Sequence, residues 1–476
     1  MRIEMNRKNV IKNVSYSLFA NVLSMVLGMV ATLVFPKFLG VAGYGYYQLY
    51  IFYTGYTLIT ALGIAEGVQL KIAGMKYNQL DYDEQSGLFW FSTITQVSLY
   101  AVILILCCVF IDEADKRFAV CGAVIVGFIA HSRYYLYMLL QGVNRMREYA
   151  HIVITERSIS IVISIIAFFF GCKDFRLMIA FDVIGRILSF LLAVSFCKEI
   201  VFHKPVINRS AVRKMISLIL SGSMLLFATQ TSSIVIGINR YGIEKQWGIE
   251  EFGKISLAIA LSNMVLRCVK SISTVMFPTL RTVDEKRLPE IYKFINAVLM
   301  TTIFVFMFFF KPICHILGLW LPQYAGSLKY SILLLPICIY ECKYSLLINT
   351  NLKTLNKEKI IGAINAMTVI VSLFTCIVSI AALKNMELAI VGILVALSIR
   401  SMIGEWFLGR MFHIRIWRNI LSEFVLSMAF IFCMYYRSGV IYYMIYLLVV
   451  CVYMYIEKEQ LLTILRKMRG RGRKQA

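Results

Sequence analysis

Apolar runs of roughly 18–28 residues recur along the whole chain, separated by short polar links, and each is long enough to cross the ~30 Å hydrocarbon layer as a helix. No other feature constrains the fold as strongly. A soluble chain of 476 residues would divide into two or three domains with far more charge. Here 59% of residues are hydrophobic and 16% are charged. The pattern predicts an all-α polytopic membrane protein. Fourteen helices, α1–α14, are expected near 14–38, 45–72, 87–111, 117–141, 149–171, 176–198, 211–238, 252–280, 289–311, 325–350, 359–382, 387–410, 417–436 and 439–456.

The loops test this count. With the N-terminus inside, inner segments collect about thirty Lys and Arg and outer ones about eleven, as the positive-inside rule requires. The inner group includes Lys198, Lys204, Arg209, Arg213 and Lys214 and the tail RKMRGRGRK at 466–474. Both termini are therefore expected on the cytoplasmic side. The same distribution accounts for the net charge of +23 without nucleic acid as a partner. The basic tail suits either anionic lipid head groups or simple retention of the last helix in orientation. The basic start MRIEMNRKNVIKN precedes an apolar run, Val14 to Phe38, that is too long for a signal peptide and lacks a cleavage site. It reads as a retained helix. Twelve cysteines form no CxxC pair and no Cys/His cluster at zinc spacing, so neither a disulfide framework nor a metal or other cofactor is expected.

The chain also repeats itself. At an offset of 208, SYSLFA (15–20) falls on SMLLFA (223–228) and GYGYYQL (43–49) falls on EFGKISL (251–257). At 212, VNRMR (143–147) falls on LNKEK (355–359). Two six-helix halves follow, 1–200 and 201–411, with 412–476 holding two extra helices and the basic tail. Because each half has an even number of spans, both run in the same sense across the membrane, the plan of parallel-repeat transporters.

Ionisable residues inside spans are rare and are read first as functional. The first half has Glu66 in α2, Arg133 in α4, Glu156 and Arg157 in α5, and Asp182 and Arg186 in α6. The second has Lys254, Arg267 and Lys270 in α8, Glu341 and Lys343 in α10, and Arg400 and Glu405 in α12. Arg267 lies about 20 Å from either end of α8, beyond the reach of snorkelling. Lys270 is one turn away on the same side. Neither has an acid on its own helix, and their counterparts at the repeat offset are Ile59 and Leu62. The scaffold thus does not require cations there. Asp182 and Arg186, spaced i, i+4, either neutralise each other or act separately. Arg186 and Arg400 lie near the repeat offset and are expected to be pseudo-symmetric equivalents. A water-filled cavity lined by Arg267, Lys270, Lys343, Arg400, Arg186, Arg133 and Arg157 would suit an anionic substrate. Asp182, Glu341, Glu405 and Glu66 are candidates either for carrying a coupling ion or for neutralising neighbouring cations.

Several stretches carry a family likeness: KFLGVAGYGYYQLY (37–50), QGVNRMREYAHI (141–152), SISTVMFPTL (271–280) and HILGLWLPQYAGSLKYSILLLP (315–336). In order and spacing they resemble the polysaccharide (O-antigen type, Wzx-like) flippases of the MOP exporter superfamily, over nearly the whole chain. The resemblance implies a MATE/MOP-like fold and an undecaprenyl-diphosphate-linked oligosaccharide carried from the inner to the outer leaflet of a bacterial cytoplasmic membrane by alternating access. Membrane lipid, that glycan, a polysaccharide polymerase and other assembly proteins are the partners it implies. It transfers no invariant site residue.

Three other readings compete. A multidrug exporter of the same fold favours intramembrane acids, whereas eight intramembrane cations are present. A polysaccharide polymerase or ligase would present a sizeable outer loop with catalytic Arg or His, and the longest outer links are about 14 residues by the span count. A membrane scaffold would leave the deep cations unexplained. No P-loop occurs, so ATP hydrolysis by the chain itself is not expected.

Overall fold

The computed structural model describes the backbone of residues 7–205, 209–281, 287–437 and 439–472. Within these, the side chains of 7–15, 17–18, 209–212, 265, 267–281 and 459–472 lie outside the description. Among the described residues every regular element is helical. Twelve helical runs are long and apolar enough to cross a membrane. Two of them are double, each broken once, and splitting these gives the fourteen segments expected. The segments α1 and α2 share the helix Arg7–Tyr56, broken at Gly40. After it α2 continues through a 3₁₀ turn, Ile59–Ala61, and the helix Ile64–Ile72. Then come α3 (Tyr82–Phe110), α4 (Ala114–Gly142), α5 (Met146–Phe169) and α6 (Phe175–Phe196). The helix Arg209–Arg281 holds α7 and α8, broken at Gly248. It is followed by α9 (Leu288–Trp320), α10 (Leu328–Thr354), α11 (Glu358–Ala382), α12 (Met386–Phe412), α13 (Trp417–Tyr436) and α14 (Val440–Gly472).

The two breaks replace loops that the hydropathy pattern leads one to expect near 39–44 and 239–251. Gly40 has φ 71° and ψ 177°, and Gly248 has φ 84° and ψ −174°. That region of backbone space is open essentially only to glycine. The two glycines are 208 residues apart, so the sequence repeat reappears as a repeated backbone conformation. The α4–α5 and α10–α11 turns repeat likewise: Asn144 and Asn356, 212 apart, have φ 63° and 53°. The halves diverge in α2, where Leu62 and Gly63 both take positive φ and interrupt the helix. At the matching positions α8 remains helical.

The chain forms two compact units, Met1–Ser233 and Ile234–Ala476, with the boundary inside α7. The first part of α7 belongs to the first unit because Gly222 lets it lie directly on the α2 backbone at Gly63. Glu84 of α3 also pairs with Lys71 at the end of α2 and with Lys214 of α7. Within the first unit α4 is the interior helix, with 72% of its apolar window buried, whereas α3 has only 11%. Ile105, Val109 and Phe110 of α3 are exposed, as suits side chains in contact with lipid. In the second unit α10 takes the interior place, with 94% of its window buried. The segments α13 and α14 belong to this unit. Tyr446 of α14 packs against Phe430 of α13, and the Tyr443 hydroxyl donates to the Phe308 carbonyl of α9 at 2.9 Å.

Replacing Gly40 or Gly248 by alanine forces a Cβ into this glycine-only region, a strain of about 1–3 kcal/mol. Each variant is expected to lower the thermal unfolding midpoint in detergent, whereas Gly326→Ala, at a position with ordinary φ and open space around it, is expected to leave it unchanged.

Candidate functional site

In the first unit the intramembrane charges converge on the contact between α5 and α6. Glu156 and Ser160 lie one turn apart on α5, and Asp182 and Arg186 one turn apart on α6, so each pair presents to the same face. Gly185 permits the close approach: a Cβ there would come within 2.9 Å of the Glu156 carbonyl oxygen. Arg186 donates through Nε to Asp182 at 2.7 Å and pairs through Nη1 with Glu156 at 3.1 Å. The other oxygen of Glu156 is held by Arg133 of α4. Asp182 also accepts from the Tyr50 hydroxyl at 2.5 Å and from Ser160 at 3.1 Å. Two guanidinium groups and two carboxylates thus form a neutral, buried network across α2, α4, α5 and α6. Of the two readings of Asp182 and Arg186, the geometry realises the paired one.

Arg157 is different. One residue on from Glu156, it is turned about 100° around α5 and is exposed. It is within electrostatic reach of Glu156 and Asp182 but makes no hydrogen bond or ion pair with a described residue. It sits about 17 Å from either end of the helix. It thus places a cation, midway along α5, beside a network whose own charges already balance. Glu66 stands apart from this network. It is buried in the first turn of its short helix, where the helix dipole favours an acid. One of its oxygens accepts from the Tyr134 hydroxyl at 2.7 Å, and the other has no partner among the described residues.

The second unit contains two clusters. Arg400 of α12 pairs with Glu341 of α10 at 3.3 Å, donates to Asn365 of α11 at 3.0 Å and lies 3.7 Å over the Tyr344 ring. Like Arg186, it sits on the sixth helix of its half and is met by an acid of that half. Lys343 of α10 lies 2.5 Å from both Glu405 of α12 and Glu423 of α13. Glu405 in addition accepts from Tyr292 of α9 at 2.7 Å. Lys254 pairs with Glu251 at 2.6 Å. The side chains of Arg267 and Lys270 lie outside the described residues.

These pairings change the charge argument. Among the described candidates, Arg133, Arg186, Lys343 and Arg400 are each engaged by acids of their own half, which leaves Arg157 as the cation without such a partner. Glu423, Tyr50, Tyr292 and Asn365 escaped the sequence reading. Glu423 was legible: it is the lone acid within the predicted span 417–436. The tyrosines and Asn365 gave no signal, because polar residues at apolar helix spacing are indistinguishable from packing residues. Among the described residues no group of three or more His, Cys, Asp or Glu is placed to hold a metal ion.

Removing one member of a buried pair strands the other, at a cost of about 3–5 kcal/mol. Arg186→Met is therefore expected to lower unfolding stability in detergent by that amount. Arg157→Ala, which breaks no pair, should change it by less than about 0.5 kcal/mol.

The family model described as "Polysaccharide biosynthesis protein" matches residues 10–283. No curated protein matches the chain. Among solved structures the chain is similar to "Lipid II flippase MurJ, inward closed conformation", at 13% identity and a TM-score of 0.67, covering 95% of this chain and 100% of that one. It is also similar to the inward-facing conformation of a multidrug resistance MATE family transporter of the MOP superfamily. There the identity is 11% and the TM-score 0.62, with 82% of this chain and 97% of that one covered. Likenesses at such identity establish the fold, and the family match covers more than half of the sequence. The chain is a multi-pass membrane protein with the MOP-superfamily fold and belongs to the polysaccharide biosynthesis protein family.

Proposed function

We propose that the protein is a flippase that carries an undecaprenyl-diphosphate-linked oligosaccharide from the inner to the outer leaflet of a bacterial cytoplasmic membrane, by alternating access, with both termini cytoplasmic. The observation that carries this reading is Arg157, an exposed cation midway along α5 that forms no ion pair with an acid among the described residues. A diphosphate is the part of such a substrate that seeks charge-assisted hydrogen bonds, and a guanidinium presents its donors in a fork that suits phosphate oxygens. Arg267 and Lys270 on α8 add two cations, and the acids of that helix, Glu250 and Glu251, lie about four turns or more away along it. In this reading Arg157 in the first unit, and separately Arg267 and Lys270 in the second, offer charge-assisted hydrogen bonds to the diphosphate during transit, while the sugars stay in water and the prenyl chain in lipid. Arg133, Arg186, Lys343 and Arg400, already engaged, shape the site and fix the helices that present it. The family membership and the likeness to a lipid II flippase support this assignment over drug export. The absence of a P-loop from the sequence points to a secondary mechanism.

The test is complementation of flippase-null cells that make a defined surface glycan. The wild-type chain is expected to restore export. Arg157→Ala, Arg267→Ala and Lys270→Ala each remove a charged hydrogen bond of about 1.5–3 kcal/mol, and each is expected to reduce export by about tenfold or more at normal membrane levels. Arg157→Lys, which keeps the charge but loses the fork, should fall between. Export at the wild-type rate by all three alanine variants would overturn the binding role.

A further inference from the structure

The three buried ion clusters differ in charge balance. Among the described residues the α5–α6 network has two cations and two anions, and Arg400 pairs with one acid, Glu341. Lys343, Glu405 and Glu423 set one ammonium against two carboxylates, with side-chain exposures of 0%, 1% and 4%. The neighbouring helices add no compensating cation among the described residues. Tyr292 of α9 donates to Glu405. Tyr340 of α10 faces Ser427 of α13 at 3.2 Å. Tyr453 of α14 lies within electrostatic reach of both glutamates. On α13 and α14 themselves, Arg418 and Glu457 pair with each other at 2.5 Å and so cancel. Fully ionised, the triad would hold a net negative charge out of water, which is strongly unfavourable in a low-dielectric interior.

We propose that Lys343, Glu405 and Glu423 form a one-proton carrier site, and that this proton is the coupling ion of transport. In the loaded state one of the two carboxyls is protonated, and the site is neutral and stable when closed to water. On release the carboxyl O–H bond breaks and the proton passes to water. An ammonium and two carboxylates remain, a state favoured when water reaches the site. Lys343 makes both states accessible. It lowers the cost of the second negative charge, while the second carboxylate prevents either acid from staying permanently ionised. Glu66, which has no cation beside it, lacks this balance. A sodium ion is disfavoured by geometry, because the Lys343 ammonium already occupies the place between the carboxylates that a metal ion would need.

The location gives the proton something to move. Glu423 is on α13, outside the six-helix repeat, and its bond to Lys343 ties that helix to α10 and α12. Lys343 is followed at once by a π-helical turn, Tyr344–Asn349. Tightening such a turn to α rotates the helix on one side against the other. Loading and release thus alter the bonds that hold α10, α12 and α13 together, at a place where α10 has slack. The coupling role rests on the flippase reading, but the proton site itself does not.

The experiment is infrared titration of the full-length protein in liposomes from about pH 5 to 9, the range over which buried carboxyls titrate, followed at the protonated-carboxyl carbonyl band. A titrating band is expected that Glu423→Gln and Glu405→Gln each abolish and Glu66→Gln leaves in place. Glutamine matches the shape of the protonated acid, so both variants are expected to fold. No titrating band, or one that survives in both variants, would overturn the site. Loss of the band on replacing choline by sodium at fixed pH would overturn the proton in favour of a metal cation. In flippase-null cells Glu423→Gln is expected to lower export at least tenfold at normal membrane levels, and wild-type export by this variant would overturn coupling. Failure of the wild-type chain to restore export would instead count against the proposed function, leaving the titration to decide the site.

Discussion

The constraint on which the rest of this structure depends is the cost of an uncompensated charge in hydrocarbon. It explains why the intramembrane charges occur in clusters, and among the described residues the ion pairs of each cluster join helices of one unit. Arg186 meets Asp182 on its own helix and Glu156 on the next, and Arg133 takes the remaining oxygen of Glu156. Arg400 meets Glu341 two helices earlier in the chain. These bonds are internal to each unit and do not depend on the other.

The same cost makes the exceptions informative. A polar group left unbalanced in such a setting has to be met by water, a ligand or a proton. Arg157 is on the exposed side of α5, with the acids of the network near but not bonded to it. The Lys343 triad is fully enclosed and holds one carboxylate too many. One imbalance is positive and open, and the other is negative and closed. The first suits an anion that comes and goes with transport, and the second suits a particle as small as a proton. Neither follows from a count of intramembrane cations, since four of the eight are consumed by acids that the linear sequence places tens of residues away.

The backbone gives a second view of the repeat. Short matches among Leu-rich helices carry little weight alone. Gly40 and Gly248 adopt the same glycine-only conformation 208 residues apart, and Asn144 and Asn356 share a positive φ at 212. Where the halves part company is equally telling. The α2 helix breaks at Leu62 and Gly63, the positions that correspond to Lys270 and Ser271 in the uninterrupted α8.

The sequence by itself determined the class, the succession of membrane-length helices and the position of each charge along its helix. All of these rest on local quantities: hydrophobic run length against a fixed membrane thickness, loop charge, and spacing along one helix. It also made the Asp182–Arg186 pairing readable as one of two alternatives, because both residues lie on α6. Only the tertiary structure decided which cations are spoken for, since Arg133 with Glu156, Arg400 with Glu341, and Lys343 with Glu405 and Glu423 are contacts between helices. Helix packing, which no periodicity encodes, chooses those partners. It drew α13 into the charge balance of the second half and left Arg157 outside the network one residue away from its centre.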